Sequence, residues 1–170
     1  DADLKQAYSE MLQGCVSEPE KRIWHAVWFM ELKSHPGTIV GDLSFKGLAA
    51  DGMVELGYGL RDGYCGHGYM TEAVKAVIRF AFETFPIDII QIGHFPENAR
   101  SRSVIRKCGF QYEGTLRRSY QIFDGSMKDD CRYSMTREEF EAGAVEKPAY
   151  AFVQNRACEY FPCHKTNDPE

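Results

Sequence analysis

Gly57-Tyr58-Gly59-Leu60-Arg61-Asp62-Gly63-Tyr64-Cys65-Gly66-His67-Gly68-Tyr69-Met70-Thr71-Glu72-Ala73-Val74 reads as a strand, a glycine-bearing turn and a helix. Residues 54–60 are short and apolar, as a buried strand is. Gly63, Gly66 and Gly68 follow closely. From Val74 onward, Val77, Ile78, Ala81, Phe82 and Phe85 recur at helical spacing. A glycine turn feeding a helix leaves several backbone N–H groups pointing one way. The helix macrodipole adds partial positive charge there. Together they make an anion site suited to phosphate or pyrophosphate. Glycines let such a ligand approach the main chain without a Cβ in the way. Spacing excludes two familiar phosphate motifs. There is no Gly-x-x-x-x-Gly-Lys-Ser/Thr loop, and no Gly-x-Gly-x-x-Gly opens the helix. A plain tight turn shows the same glycines, so the turn alone does not decide function.

The rest of the composition narrows the classes. A chain of 170 residues with 44 % apolar content fits one soluble globular domain with a sizeable core. We expect that domain over residues 1–146 and a tail over 147–170. The net charge of −5, with acids and bases interspersed, disfavours nucleic acid as a partner. No apolar run is long enough to span a bilayer, and the first residues do not read as a signal peptide. The six cysteines are scattered without a framework, which points to reduced thiols and a cytoplasmic location. Cys158, Cys163 and His164 lack a second ligand pair, so no metal is expected.

Residues 2–16 carry a helical apolar period, ended by Ser17-Glu18-Pro19-Glu20. Residues 23–32 and 38–45 are expected as two strands joined by the Ser34-His35-Pro36-Gly37 turn. After the long helix come a strand over 88–93 and a helix over 97–108 ending at Gly109. Strands over 110–115, 118–123 and 130–135 follow, the last two around Asp124-Gly125-Ser126-Met127. Thr136 to Phe140 opens a short helix through a capping box. The aromatic tail offers an edge strand over 150–153. This pattern predicts an α+β fold around a mixed sheet.

Two stretches resemble a known family. Cys65-Gly66-His67-Gly68-Tyr69-Met70-Thr71-Glu72-Ala73 resembles the Gln/Arg-x-x-Gly-x-Gly/Ala motif of the GNAT acyltransferases. Pro96-Glu97-Asn98-Ala99-Arg100-Ser101, running on to Cys108-Gly109-Phe110, resembles that family's second cofactor segment. Glu55-Leu56-Gly57-Tyr58 and Glu113-Gly114 are similar to its ribosomal-protein-alanine acetyltransferase branch. The likeness covers residues 23–137. It implies a mixed, mostly antiparallel sheet with a central V-shaped splay, flanked by helices. It implies acetyl-CoA as cosubstrate, with the pyrophosphate on the N–H groups of Gly66, His67, Gly68, Tyr69 and Met70. Cys65, the Thr71 hydroxyl and Leu60 join that site. The pantetheine would run between the 54–60 and 88–93 strands, with the Asn98 amide as its partner. The sequence departs from the family at Cys65 (for Gln/Arg), at Met70 (for Gly/Ala) and at Ile105, where many members carry a tyrosine general acid. The family's first strand is not evident before residue 23. We expect a shortened N-terminus, or the tail in that strand's place.

The expected activity is acetyl transfer from acetyl-CoA to a primary amine, either a protein N-terminus or a small molecule. The reaction needs a neutral amine, a polarised carbonyl and a proton for the leaving thiolate. Ser101 shares a helix face with Val104, Ile105 and Cys108 and is the candidate acid. A helix-start serine bonded to its own backbone is the competing reading. Glu55, on the strand face with Gly57 and Gly59, is the candidate base through water. A salt-bridged strand carboxylate competes with that. His67 sits in the phosphate turn, and the other histidines read as surface or core-edge residues. Tyr112 and Tyr120 read first as packing residues. Arg100, Arg102, Arg106, Lys107, Arg117 and Arg118 form a basic cluster that suits a solvated face or the CoA 3′-phosphate. A non-catalytic acyl-CoA-binding regulatory module and a nucleotide-binding structural domain are the alternatives. The resemblance also admits a homodimer.

Overall fold

The computed structural model describes residues 2–48, 52–122 and 124–145. The chain runs α1 (Ala2–Ser17), a 3-10 turn (Pro19–Lys21), α2 (Arg22–His25), β1 (Val27–Leu32), β2 (His35–Leu48) and β3 (Met53–Leu60). A second 3-10 turn (Asp62–Tyr64) leads to α3 (Tyr69–Thr84), β4 (Ile89–His94) and α4 (Ala99–Lys107). The β5 (Gln111–Gln121) and β6 (Met127–Thr136) hairpin follows, then α5 (Arg137–Glu139). The strands form one sheet in the order β1-β2-β3-β4-β6-β5. Every neighbouring pair is antiparallel except β3 with β4.

That parallel pair creates the splay. β3 and β4 bond only through Met53↔Ile89, Val54↔Ile90 and Glu55↔Gln91. Beyond Glu55, β3 continues to Leu60 and β4 to His94 with no further pairing between them. The sheet therefore opens as a V whose vertex lies at Glu55 and Gln91.

Alternation along the strands sorts the two faces. Val54, Leu56, Ile90, Ile92 and Met135 point to one face, and all are buried. They meet Val74, Val77, Ile78, Ala81 and Phe82 of α3. Each of these side chains larger than alanine contributes about 1.5–3 kcal/mol through removal from water. Ile105, Cys108 and Phe110 extend the same core beneath α4. On the other face, the Tyr8 ring of α1 meets Phe29 edge-on at 6.3 Å.

The first expected strand begins late. Residues 22–25 turn helically, because Trp24 is drawn into the core against Phe45 (5.2 Å) and Phe85 (4.7 Å). The expected strands over 110–115 and 118–123 are one strand, β5, with register slips after Tyr112 and Leu116. Arg118 sits at the second slip with φ 50°, and its N–H donates to Asp129 Oδ1 at 2.8 Å. The helix expected over 97–108 is shorter at its start, because Asn98 is its N-cap. The capping box of Thr136 and Glu139 forms as expected. The edge strand expected over 150–153, the Cys158–Cys163–His164 group and the tail from 147 lie outside the described residues.

Arg137 locks the last helix start to α3. Its guanidinium donates to the carbonyls of Phe82 (3.0 Å), Phe85 (2.7 Å) and Ile87 (2.7 and 3.0 Å). Two of these oxygens belong to the end of α3, where a cation is favoured. Arg137→Ala should destabilise the fold by about 3 kcal/mol, since charge-assisted bonds are lost and buried carbonyls are left unpaired. Urea unfolding with an unchanged m-value is the measurement. A midpoint equal to wild type would show that solvent replaces the guanidinium.

Candidate active site

A cavity of about 780 Å³ lies between the end of β3, the start of α3 and one side of α4. Tyr58, Gly59 and Leu60 form one wall, and Cys65, Gly66, Gly68, Tyr69, Met70 and Thr71 form the second. Asn98, Arg100, Ser101, Ser103, Val104 and Lys107 form the third. Gly66 and Gly68 have φ +85° and +84°, with nothing within 4 Å of an added Cβ. Backbone handedness, not crowding, therefore requires glycine there. Gly68 is the N-cap of α3, and no side chain caps that helix. The free N–H groups of its first turn thus remain available to a ligand in the cavity.

Two cationic side chains of α4 face the cavity. Arg100 and Lys107 both line it. Arg100 Nη1 lies 3.0 Å from Asp62 Oδ1, and both side chains are largely exposed. Such a pair is weak and readily exchanged for a phosphate. Arg102 and Arg106 are not among the lining residues; they lie near Tyr133, whose phenol burial raises above its ordinary value while the two cations pull the other way.

Deeper in, two hydroxyls meet. Tyr58 Oη and Ser101 Oγ are 2.8 Å apart, and Tyr58 also approaches the Ser101 carbonyl at 3.3 Å. Burial pushes the Tyr58 phenol up to about 12, with the Ser101 bond pulling the other way. The phenol is therefore neutral and carries its proton at neutral pH. Ser101 is further fixed through its own N–H, which donates to Asn98 Oδ1 at 3.0 Å. The Asn98 carbonyl oxygen is thus committed to the helix cap, and its NH₂ remains for other partners.

Glu55 lies elsewhere, on the opposite face of β3 and at the vertex of the V. Lys46 of β2 donates to its Oε1, and Arg132 Nη1 of β6 lies 2.8 Å from its Oε2. Burial alone would raise its carboxyl, but the two cations hold it below the ordinary range. Arg132 also reaches Asp130 at 2.6 Å. A carboxylate so held is a weak proton acceptor and a firm tie joining β2, β3 and β6.

The structure brings Leu60, Cys65, Gly66, Gly68, Tyr69, Met70, Thr71, Asn98 and Ser101 to one cavity. Glu55 is not among its lining residues. Nor is His67, whose ring stacks on Tyr69 at 5.4 Å. Ile105, where the resemblance implies a tyrosine in many relatives, is fully buried. Tyr58 was not singled out by sequence reasoning as a proton carrier. Its signal was the alternation of Leu56, Tyr58 and Leu60 on one strand face. His94, expected at the surface or the core edge, is buried with Nε2 3.3 Å from Tyr133 Oη.

Comparison with known proteins agrees with this geometry. Residues 2–111 match the family model described as an acetyltransferase (GNAT) domain. Among curated proteins, the chain is 39% identical over 67 residues to the probable N-acetyltransferase YjcK of Bacillus subtilis, covering 39% of this chain and 37% of that protein. It is 32% identical over 88 residues to the ribosomal protein uS5-alanine N-acetyltransferase of Escherichia coli, covering 52% of this chain and 45% of that protein. Among solved structures, Mycobacterium smegmatis RimJ in complex with CoA-disulfide superposes with a TM-score of 0.67 at 25% identity, over 81% of this chain and 65% of that one. The chain thus spans less than half the length of the two curated relatives. With the family model matched over more than half of the chain, on a sheet that splays where the cavity begins, the chain belongs to the GNAT acetyltransferase family.

Proposed function

We propose that this protein transfers the acetyl group of acetyl-CoA to a primary amine, the free N-terminus of a protein. The observation that carries the reading is one continuous cavity. It starts at the uncapped first turn of α3 and includes the Tyr58–Ser101 hydroxyl pair. The likeness to a ribosomal-protein-alanine acetyltransferase supports a protein N-terminus as acceptor, and such an acceptor favours the cytoplasm. Bound acetyl-CoA supplies the activated acyl group. The chain's own part is to hold the diphosphate on the Gly66–Thr71 N–H groups and the 3′-phosphate beside Arg100 and Lys107. The hydroxyl pair donates a proton toward the leaving sulfur. Glu55, with Lys46 and Arg132, fixes the opening of the V. The alternative of a non-catalytic acyl-CoA-binding module is disfavoured by that hydroxyl pair, which cofactor binding alone does not need. Release of free CoA thiol on mixing acetyl-CoA with an alanine-initiated peptide tests the proposal. Tight CoA binding without thiol release across a panel of amines would favour the regulatory module instead.

Asn98 divides between structure and binding. Asn98→Asp keeps the cap on Ser101 but loses the NH₂ and adds charge. Asn98→Ala loses both, at about 1 kcal/mol for the cap alone. We expect both to weaken CoA binding by about 1 kcal/mol or more, with only the alanine variant lowering the thermal midpoint. Calorimetric affinities equal to wild type would remove Asn98 from the binding site.

A further inference from the structure

We propose that Asp42, on the sheet face opposite the cavity, is the carboxylate that receives the acceptor's ammonium group and takes its proton. This rests on the proposed N-acetyltransferase reading and assigns the amine side of the same site.

The register places Asp42 of β2 between Phe29 of β1 and Gly59 of β3. Its neighbours across the sheet on that face are Ser44 paired with Gly57, then the Lys46–Glu55 contact. Asp42 Oδ2 lies 3.3 Å from where a Cβ on Gly59 would stand. The carboxylate therefore leans over bare backbone toward the unpaired edge of β3. The reverse side of that strand segment carries Tyr58 and Leu60, which line the cavity. An amine resting on Gly57 and Gly59 thus meets the acyl group through the V.

Asp42 differs from the other carboxylate on this face. Glu55 is held by Lys46 and Arg132. Among the described residues, no hydrogen bond or ion pair engages Asp42. The charged and titratable groups around it are few. Tyr8 comes from α1, and its phenol is raised by burial and by the Asp42 charge. Arg61 follows β3, with Nη1 on the Ile39 carbonyl at 3.1 Å. Lys46 is engaged by Glu55. Burial raises the Asp42 carboxyl above the ordinary carboxylate range, with no cation opposing it. A half-buried anion without a partner gains from an incoming cation. A raised carboxyl is also the stronger base.

The step balances as follows. The Asp42 carboxylate takes one proton from R–NH₃⁺ and leaves R–NH₂. The nitrogen lone pair forms the bond to the acetyl carbon, and the C–S electron pair leaves with sulfur. Sulfur takes a proton from the Tyr58–Ser101 pair. The proton still in excess on nitrogen restores that pair, and Asp42 passes its own to solvent.

The test uses the CoA-saturated protein and an alanine-initiated hexapeptide, with the N-acetylated hexapeptide as a probe lacking charge. Asp42→Asn should weaken the free peptide about tenfold by calorimetry and leave CoA affinity unchanged. It should not lower the thermal midpoint, because it removes an uncompensated charge. In turnover, the wild-type acid limb of kcat/KM, where activity rises with pH as Asp42 ionises, should disappear in the variant. Wild-type peptide affinity and an unchanged acid limb in Asp42→Asn would overturn the assignment. So would absence of free-peptide binding to the wild type, or equal binding of the acetylated peptide. Loss of CoA binding by the wild type would instead overturn the acetyltransferase reading.

Discussion

Gly68→Asp should cost CoA about a hundredfold in affinity, roughly 2.7 kcal/mol. Two effects add. Gly68 sits at φ +84° as the N-cap of α3, and a side chain in that region is strained by about 1 kcal/mol. Asp is among the residues that tolerate it best, so the variant should fold. The larger effect is electrostatic. A carboxylate at the mouth of the first turn opposes a bound diphosphate, at about 1–4 kcal/mol for unit charges 4 Å apart near a protein surface. It also offers an internal anion to the N–H groups that the ligand would use. Gly68→Ala separates the two, since it keeps the strain and omits the charge. Added salt should narrow the gap between the two variants, because exposed charges are screened over about 8–10 Å. Calorimetry with CoA is the measurement. A folded Gly68→Asp protein that binds CoA like wild type would remove the α3 start as the anion site.

The lining of the cavity was legible because its determinants are local. Glycines 66 and 68, the period from Val74 to Phe85 and Asn98 before a helix each carry their meaning within a few residues. Helix spacing put Ser101 on the side of Val104, and both line the cavity. Ser103, two positions on from Ser101 and off that stripe by helical spacing, lines the cavity too. The cavity wraps more of α4 than one buried stripe would show. The opposite face of the sheet was not legible, because its properties depend on strand order. Glu55 looks like a free strand carboxylate until β2 and β6 bring Lys46 and Arg132 to it. Asp42 looks like one more polar residue in a hairpin until the register sets it over Gly59. Trp24 misled the strand reading for a related reason. Its aromatic character fits a strand, but its burial partners are Phe45 and Phe85, far along the chain.

The proton donor gives the second large effect. Ser101→Ala should lower kcat by about ten- to a hundredfold, within the lower part of the range for a general acid. KM for acetyl-CoA should change little, because the hydroxyl acts mainly as charge develops on sulfur. Tyr58→Phe removes only the phenol of the same 2.8 Å pair and should produce a comparable fall. If the two hydroxyls pass one proton, the double variant should be little worse than either single one, since groups acting as a unit are not additive. Independent donors would instead multiply. The burial that holds Tyr58 near 12 keeps its proton on the ring throughout the neutral range. The loss should therefore be constant with pH there, unlike the acid limb assigned to Asp42. Ser103→Ala is a binding comparison, with KM moving and kcat held. Wild-type kcat in both Ser101→Ala and Tyr58→Phe, with acetyl transfer shown to be rate-limiting, would assign the proton to water. A fall in Tyr58→Phe alone would place the donor on the strand side of the V, with Ser101 only orienting the phenol through its hydroxyl and carbonyl.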